Sequence, residues 1–113
     1  MENKFSILII DDNQKIIDAV VDIYYESNYS FTYANDGQSA LEIFSKNSFD
    51  LVILDIRLPD ANGLDLLESI KMIDRSIAVI IMTGFATVED AVRATHMGAI
   101  DYIEKTRLAT LLP

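Results

Sequence analysis

The amino-acid sequence predicts a doubly wound α/β fold, in which helices cover both faces of a five-stranded parallel sheet. Three observations predict it. Short apolar runs rich in β-branched residues recur along the chain, segments with helical apolar periodicity separate them, and the two kinds alternate throughout the 113 residues. A chain of this length suits one domain, and we find no internal repeat or linker, so we expect 1–113 to form a single domain.

Five segments are predicted as strands. The runs 5–10, 51–54 and 77–82 are continuous and apolar, which is typical of strands buried on both faces of a parallel sheet. The runs 31–33 and 100–103 are shorter and more polar, which favours less protected positions in the same sheet.

Four segments between the strands carry apolar residues at helical spacing. The residues predicted to share a buried face are Ile16, Val20, Ile23 and Tyr24 in the first helix, Ala40, Ile43 and Phe44 in the second, Leu66, Leu67, Ile70 and Ile73 in the third, and Val88, Ala91, Val92 and Thr95 in the fourth. Boundary residues agree with this assignment. Asp36-Gly37 precedes the second helix, Thr87 with Asp90 forms a capping pair, and Gly98 follows the fourth helix.

Composition narrows the function classes. The net charge is -9, from 18 acidic against 9 basic residues, so we expect no direct nucleic-acid binding by this chain. The absence of cysteine excludes disulfides, thiol nucleophiles and zinc–thiolate sites. No apolar run approaches the ~20 residues of a membrane-spanning helix, and the first residues do not read as a signal peptide. We therefore expect a cytoplasmic protein without membrane contact.

Polar side chains follow four of the predicted strands. Asp11 and Asp12 follow the first strand, Asp55 ends the third, Thr83 ends the fourth and Lys105 follows the fifth. Each alone has an ordinary interpretation, as a helix cap or a surface lysine. The carboxyl ends of parallel strands lie at one edge of the sheet, however, so we expect these five side chains to form one site.

These residue types together indicate phosphoryl transfer. Clustered carboxylates repel one another unless a cation joins them, and Mg²⁺ prefers oxygen ligands. A carboxylate can attack phosphorus to form an acyl phosphate. Lys105 and the metal would neutralise the phosphoryl oxygens, while Thr83 and backbone N–H groups would donate hydrogen bonds to them.

The strings 9–13, 54–63, 82–84 and 98–105 resemble, in order and spacing, the receiver domains of response regulators from bacterial two-component systems. The resemblance runs from about Lys4 to Lys105. It implies the flavodoxin-like strand order 2-1-3-4-5 and a phosphoacceptor domain that is not an enzyme beyond its own phosphorylation and dephosphorylation. The phosphoryl donor it implies is a phosphohistidine on a sensor histidine kinase or a phosphotransfer protein.

The same resemblance implies a role for each site residue. Asp55 would be the phosphoacceptor. Mg²⁺ (or Mn²⁺) would be bound by Asp11, Asp12, Asp55 and the backbone carbonyl of Arg57. Thr83 and Lys105 would hold the phosphoryl oxygens, and Tyr102 would be the aromatic residue whose rotamer follows Thr83 on activation.

Three departures from the family pattern carry further expectations. Thr106 follows Lys105 where the family usually has proline after a cis bond. A cis bond here would cost ~2.5–4 kcal/mol, so we predict a trans bond or a displaced loop, and a less firmly placed Lys105. From about residue 106 the fifth helix is truncated or rearranged, which would expose apolar surface and favour a homo-oligomer. Arg57 and Phe85 at the mouth of the site would obstruct a hydrolytic water and slow self-dephosphorylation.

Other interpretations remain open from the sequence. The main alternative is a receiver-like interaction module that is phosphorylated poorly or not at all. A flavodoxin-like electron carrier is disfavoured because Asp11-Asp12-Asn13 would repel a flavin phosphate. An aspartate-nucleophile phosphatase would want an acid where Arg57 stands. Tyr102 could be an ordinary half-buried strand residue, and His96 is interpreted as a charge at the end of a helix.

Overall fold

Strands and helices alternate along the chain as predicted. The computed structural model describes residues 4–24 and 28–105. The elements in chain order are β1 (Phe5–Ile10), α1 (Gln14–Ile23), β2 (Tyr29–Ala34), α2 (Gly37–Lys46), β3 (Leu51–Asp55), α3 (Gly63–Ile73), β4 (Ala78–Thr83), α4 (Val88–His96) and β5 (Asp101–Glu104). The second strand is longer than the run 31–33 predicted, and the last two strands begin one residue later than predicted.

All five strands pair in parallel in the order β2-β1-β3-β4-β5, which confirms the implied topology. The chain moves from β1 to β2 on one side of the sheet and from β3 to β5 on the other. The order therefore reverses between β1 and β3, and ligands of such sheets bind beyond the carboxyl ends of the strands at that point.

The three central strands β1, β3 and β4 are buried on both faces, because alternate residues point in opposite directions and helices pack on each side. On one face, Leu8, Ile10, Leu54 and Ile81 pack against side chains of α2, α3 and α4. On the other face, Ile7, Ile9, Ile53 and Met82 pack with Ile17 and Val20 of α1. Burying an isoleucine or leucine side chain stabilises the fold by about 1.5–3 kcal/mol, so this central part of the sheet is a rigid support for its edge.

The predicted buried face of α4 is wrong. Val88 is 82% exposed and Val92 is 50% exposed, whereas Ala94 is fully buried. Helical spacing identifies an apolar stripe but does not say which stripe meets the sheet. Here the helix turns a small alanine inward, and this allows close approach to the sheet.

Two other helices place predicted core residues at the surface. Ile23 of α1 is 47% exposed and Ile73 of α3 is 52% exposed. Both are the last residues of their helices, although Tyr24, which directly follows Ile23, is buried at 6% exposure. Periodicity therefore identifies the apolar stripe of a helix but not which of its members the sheet covers.

The helix ends agree with the capping signals. Asp36 accepts a hydrogen bond from Ser39 N at the start of α2, and Thr87 accepts one from Asp90 N at the start of α4. Gly98 has a φ of +97° directly after α4, a conformation that favours glycine.

Two expectations concern residues that the structure does not describe. The geometry of the Lys105–Thr106 peptide and the form of the fifth helix lie outside the described residues. Within 4–24 and 28–105, none of the helices has the length and apolar character needed to cross a bilayer.

Candidate functional site

Three carboxylates meet at the edge of the sheet where β1 and β3 end. Asp11 is fully buried, Asp55 is 4% exposed and Asp12 is exposed. One oxygen from each lies within 4.8 Å of the other two, and the described part of the chain holds no second group of this kind. The predicted acidic cluster is therefore assembled by the fold.

The two oxygens of Asp11 differ in their partners. Oδ1 accepts a hydrogen bond from Asn13 N at 2.9 Å. Oδ2 is buried and accepts no hydrogen bond, although Lys105 Nζ lies only 2.9 Å away, so this contact is a close ion pair without hydrogen-bond alignment. Burial raises the pKa of Asp11; the Asn13 amide and Lys105 oppose this rise, and the charge of Asp55 adds to it.

Lys105 joins the two buried carboxylates. Its Nζ donates a hydrogen bond to Asp55 Oδ2 at 3.0 Å and lies 2.9 Å from Asp11 Oδ2. Burial by itself would lower the pKa of Lys105, but the two carboxylates outweigh it and the pKa is raised. Lys105 is therefore not displaced from the site, despite the Thr106 that follows it.

The loop after β3 holds Asp55 closely. Asp55 Oδ1 accepts a hydrogen bond from the backbone N–H of Arg57 at 3.3 Å. Gly63 packs directly on the Asp55 backbone, since a Cβ at residue 63 would overlap the Asp55 carbonyl oxygen. The glycine in the Asn62-Gly63 pair is thus required by this close approach of the backbone.

Thr83 and Tyr102 both contact the loop between β4 and α4. The Thr83 hydroxyl is buried and accepts a hydrogen bond from Phe85 N at 3.2 Å. The phenol oxygen of half-buried Tyr102 accepts one from Thr87 N at 3.3 Å. The two side chains predicted to act as a switch are thus tied to backbone amides two residues apart.

An open cleft of about 830 Å³ lies over these groups. Its lining residues are Asp12, Asn13, Gln14, Lys15, Asp55, Arg57, Thr83, Gly84, Phe85 and Lys105. At its mouth the Arg57 guanidinium carbon lies 5.8 Å from the centroid of the Phe85 ring, a cation–π distance. The two residues singled out at the mouth of the site therefore contact each other.

Four lining residues were not predicted as site residues: Asn13, Gln14, Lys15 and Gly84. The signal for the first three was available, because α1 begins directly after Asn13 and its first turn must lie at the same edge of the sheet. His96 is the exposed last residue of α4 and does not line this cleft, in keeping with its interpretation as a helix-end charge.

The residues present fit a divalent metal and a phosphoryl group. The cluster offers only oxygen donors, which suits a hard cation such as Mg²⁺. The buried Asp11 Oδ2 pairs with Lys105 without an aligned hydrogen bond, so it can also contact a metal. Lys105 and the Thr83 hydroxyl supply a charge and a donor at the same edge of the sheet.

Known proteins show the same sequence pattern and fold. Residues 7–112 match the family described as response regulator receiver domain. The transcriptional regulatory protein ZraR of Escherichia coli K12 is 35% identical over 103 residues, which is 91% of this chain but only 23% of that protein. The chain thus spans about a quarter of the length of this relative.

Two solved structures have closely similar backbones. A CheY-like response regulator receiver domain protein from Methanospirillum hungatei has a TM-score of 0.86 and 32% identity, with 91% of this chain and 82% of that one covered. A response regulator from Burkholderia pseudomallei, solved with a phosphorylated aspartic acid, a calcium ion and citrate, has a TM-score of 0.84 and 25% identity. That match covers 91% of this chain and 60% of the other.

Proposed function

This chain belongs to the response regulator receiver domain family, and we propose that it is a phosphoacceptor signalling domain in which Asp55 receives a phosphoryl group. The observation that carries the proposal is the juxtaposition of Asp55 with Asp11, Asp12 and Lys105 at one edge of the sheet. The proposed unit is the single domain 1–113.

The step proposed is the attack of an Asp55 carboxylate oxygen on the phosphorus of a phosphohistidine. An oxygen–phosphorus bond forms, the phosphorus–nitrogen bond breaks, and the histidine nitrogen leaves with its electron pair and takes a proton. Mg²⁺, bound by the carboxylates of Asp11, Asp12 and Asp55 and by the Arg57 carbonyl, would supply positive charge against the phosphoryl oxygens. The partner that brings the phosphohistidine is proposed to be a sensor histidine kinase or a phosphotransfer protein.

Lys105 and Thr83 would hold the transferred group. The Lys105 ammonium already faces Asp55 Oδ2, so it would follow the phosphoryl oxygens with little movement. The Thr83 hydroxyl would exchange the bond that it donates to Phe85 O for one to a phosphoryl oxygen. Release of the β4–α4 loop would then reach Tyr102 through Thr87 and alter the surface of α4 and β5.

One comparison and one feature of this chain support the proposal. The Burkholderia pseudomallei structure carries a phosphorylated aspartic acid and a calcium ion, which are the modification and the kind of cation proposed for this chain. The acidic cluster of this chain offers the matching oxygen donors. A cytoplasmic location, a lack of nucleic-acid binding and self-association of the chain stay predictions from the sequence.

The test is incubation with Mg²⁺ and a small acyl-phosphate donor, followed by intact-mass measurement. We expect the gain of one phosphoryl group, lost on treatment with hydroxylamine and absent in Asp55→Asn. Asp50→Asn is the matched control, because Asp50 is an exposed carboxylate that directly precedes β3, at the edge of the sheet opposite Asp55. It accepts a hydrogen bond from Ser6 N. This variant should be phosphorylated like the wild type.

Absence of a mass gain in folded wild-type protein, with a proven receiver domain phosphorylated alongside it, would contradict the proposal. That result would favour the interaction module that keeps the fold without the chemistry. A mass gain that persists in Asp55→Asn would place the phosphoryl group on another residue.

A further inference from the structure

Asp60 links two parts of the chain that the phosphoacceptor chemistry does not by itself connect. Its carboxylate, exposed at the tip of the loop between β3 and α3, accepts a hydrogen bond from Gly37 N at 2.7 Å and another from Gln38 N at 3.0 Å. These are the first two amides of α2, so the carboxylate also lies at the positive end of that helix.

The loop that carries Asp60 is closed on itself. Arg57 and Asn62 form an antiparallel bridge, and Leu58 N donates to Ala61 O at 3.2 Å. Gly63 N donates to Ile56 O at 2.6 Å, which closes the base of the loop beside Asp55. With backbone bonds along its length, the loop transmits a displacement of its tip to its base.

The base of the loop contains groups used at the site. The Arg57 amide donates to Asp55 Oδ1 at 3.3 Å, and Gly63 lies against the Asp55 backbone. The Arg57 carbonyl is the proposed backbone ligand of the metal. Anything that fixes the tip of the loop therefore fixes these groups.

We propose that Asp60 is a positioning residue, which clamps the β3–α3 loop to the start of α2 and so holds the Arg57 main chain in place for metal binding and phosphorylation at Asp55. This inference rests on the proposed function of the site. It assigns to an exposed loop carboxylate an effect on a site that it does not touch.

Three observations characterise the contact of Asp60 with α2, and the first separates it from ordinary helix capping. Helix α2 already has a cap, because Asp36 accepts a hydrogen bond from Ser39 N at 2.7 Å. The two amide bonds lower the pKa of Asp60, so the carboxylate is ionised and the contact is charge-assisted at neutral pH. The interface is also tight, since a Cβ at Gly37 would lie 2.9 Å from Ala61 Cβ.

The main test compares Asp60→Asn with Asp36→Ala in the full chain. In Asp60→Asn the side-chain amide can accept only one of the two bonds and turns a donor toward the other amide. We expect the Mg²⁺ dissociation constant, measured by calorimetry, to rise about tenfold, as for losses of groups that orient metal ligands. The initial rate of phosphorylation by acyl phosphate should fall at sub-saturating Mg²⁺. In the metal-free protein, the NMR resonance of the Arg57 backbone amide should differ from its wild-type position.

Asp36→Ala is the matched control, because it weakens the same helix without touching the loop. Losing the cap should lower the free energy of unfolding by about 0.5–2 kcal/mol, while the Mg²⁺ dissociation constant stays at its wild-type value. Gly37→Ala tests the contact between the β3–α3 loop and α2 in a second way. It keeps Asp60 and does not disfavour the helix, but its methyl group must displace Ala61, so Mg²⁺ binding should weaken.

The outcomes distinguish the inference from the function beneath it. If wild-type protein neither binds Mg²⁺ nor accepts a phosphoryl group, the proposed function fails. If wild type does both and Asp60→Asn binds Mg²⁺ equally well, the clamp is wrong. Equal weakening in Asp60→Asn and Asp36→Ala would also overturn it, because the effect would then come from the stability of α2.

Discussion

Replacing Asp11 by asparagine should stabilise the metal-free protein while abolishing its response to Mg²⁺. The carboxylate of Asp11 is fully buried, and one of its oxygens accepts no hydrogen bond. Asparagine keeps the shape and can still accept the bond from Asn13 N. Its amide nitrogen would then face Lys105, whose ammonium turns toward Asp55, its remaining partner. The substitution therefore removes a buried negative charge with little change in packing.

The magnitude follows from the distances at the site. At an effective dielectric constant near 20, an Asp55 oxygen up to 4.8 Å away repels Asp11 by about 3.5 kcal/mol or more, and Lys105 at 2.9 Å attracts it by about 5.7 kcal/mol. Lys105 is 18% exposed, which weakens that attraction, and burying the carboxylate costs several kcal/mol more, by roughly the amounts known for buried ion pairs. The raised pKa of Asp11 shows that the unfavourable contributions win. Because Lys105 keeps Asp55 as its partner, no cation is left unpaired, and we expect a gain on the order of 1 kcal/mol in the free energy of unfolding in chelator, the ordinary size of a single substitution's effect.

The pH dependence has a definite sign. Because the folded pKa of Asp11 lies above its ordinary value of 3.8, the native state binds this proton more tightly than the unfolded chain does. The contribution of Asp11 to the free energy of unfolding is therefore complete below pH 3.8 and is lost as the pH rises through the raised pKa. The advantage of Asp11→Asn should therefore be full above the raised pKa of Asp11 and shrink as the pH falls toward 3.8.

Magnesium should make the wild type more stable than Asp11→Asn. A ligand that binds only the native state at a hundred times its dissociation constant stabilises by about 2.7 kcal/mol, and we expect this increment in wild type but not in Asp11→Asn. Urea unfolding followed by circular dichroism, with chelator or with Mg²⁺, measures both effects. A variant less stable than wild type in chelator, or one that keeps the full Mg²⁺ increment, would refute the reasoning about buried charge.

Two further predictions concern the surroundings of Asp55. Gly63→Ala should lower the free energy of unfolding by about 1–3 kcal/mol or more, since its Cβ would overlap the Asp55 carbonyl oxygen; Gly84→Ala, whose Cβ would meet only Lys105 Cδ at 4.0 Å, is the control in the same urea assay. Arg57→Asn combined with Phe85→Ala should shorten the lifetime of the acyl phosphate by opening the mouth of the cleft, as measured by loss of the mass gain with time. An unchanged lifetime would exclude the pair as an obstruction to water.

The sequence predicted the sheet and the edge that carries the site. Buried parallel strands have a local signature in continuous apolar runs, and β1, β3 and β4 show it clearly. Because all carboxyl ends of a parallel sheet lie at one edge, residues that follow different strands could be placed together without knowing any distance. Asp11, Asp55 and Lys105 were brought together by that rule alone. The strand order came from the resemblance to a family.

The sequence could not assign the buried face of α4, the shortest of the described helices. In α4, the apolar residues Val88 and Val92 share a stripe, yet the helix buries Ala94. Periodicity describes a helix by itself, whereas burial depends on how the helix is rotated against the sheet. That rotation is set by contacts with other elements.

Pairwise geometry within the site was also decided only by the tertiary structure. Lys105 bridges two carboxylates from different strands, and Asp60 reaches amides that precede it by more than twenty positions. Neither contact has a local signature, because each depends on the register of the sheet and the path of a loop. The residue types at the strand ends therefore predicted the chemistry of the site. Its ion pairs and the clamp at Asp60 exist only because packing brings distant segments within a few ångströms of one another.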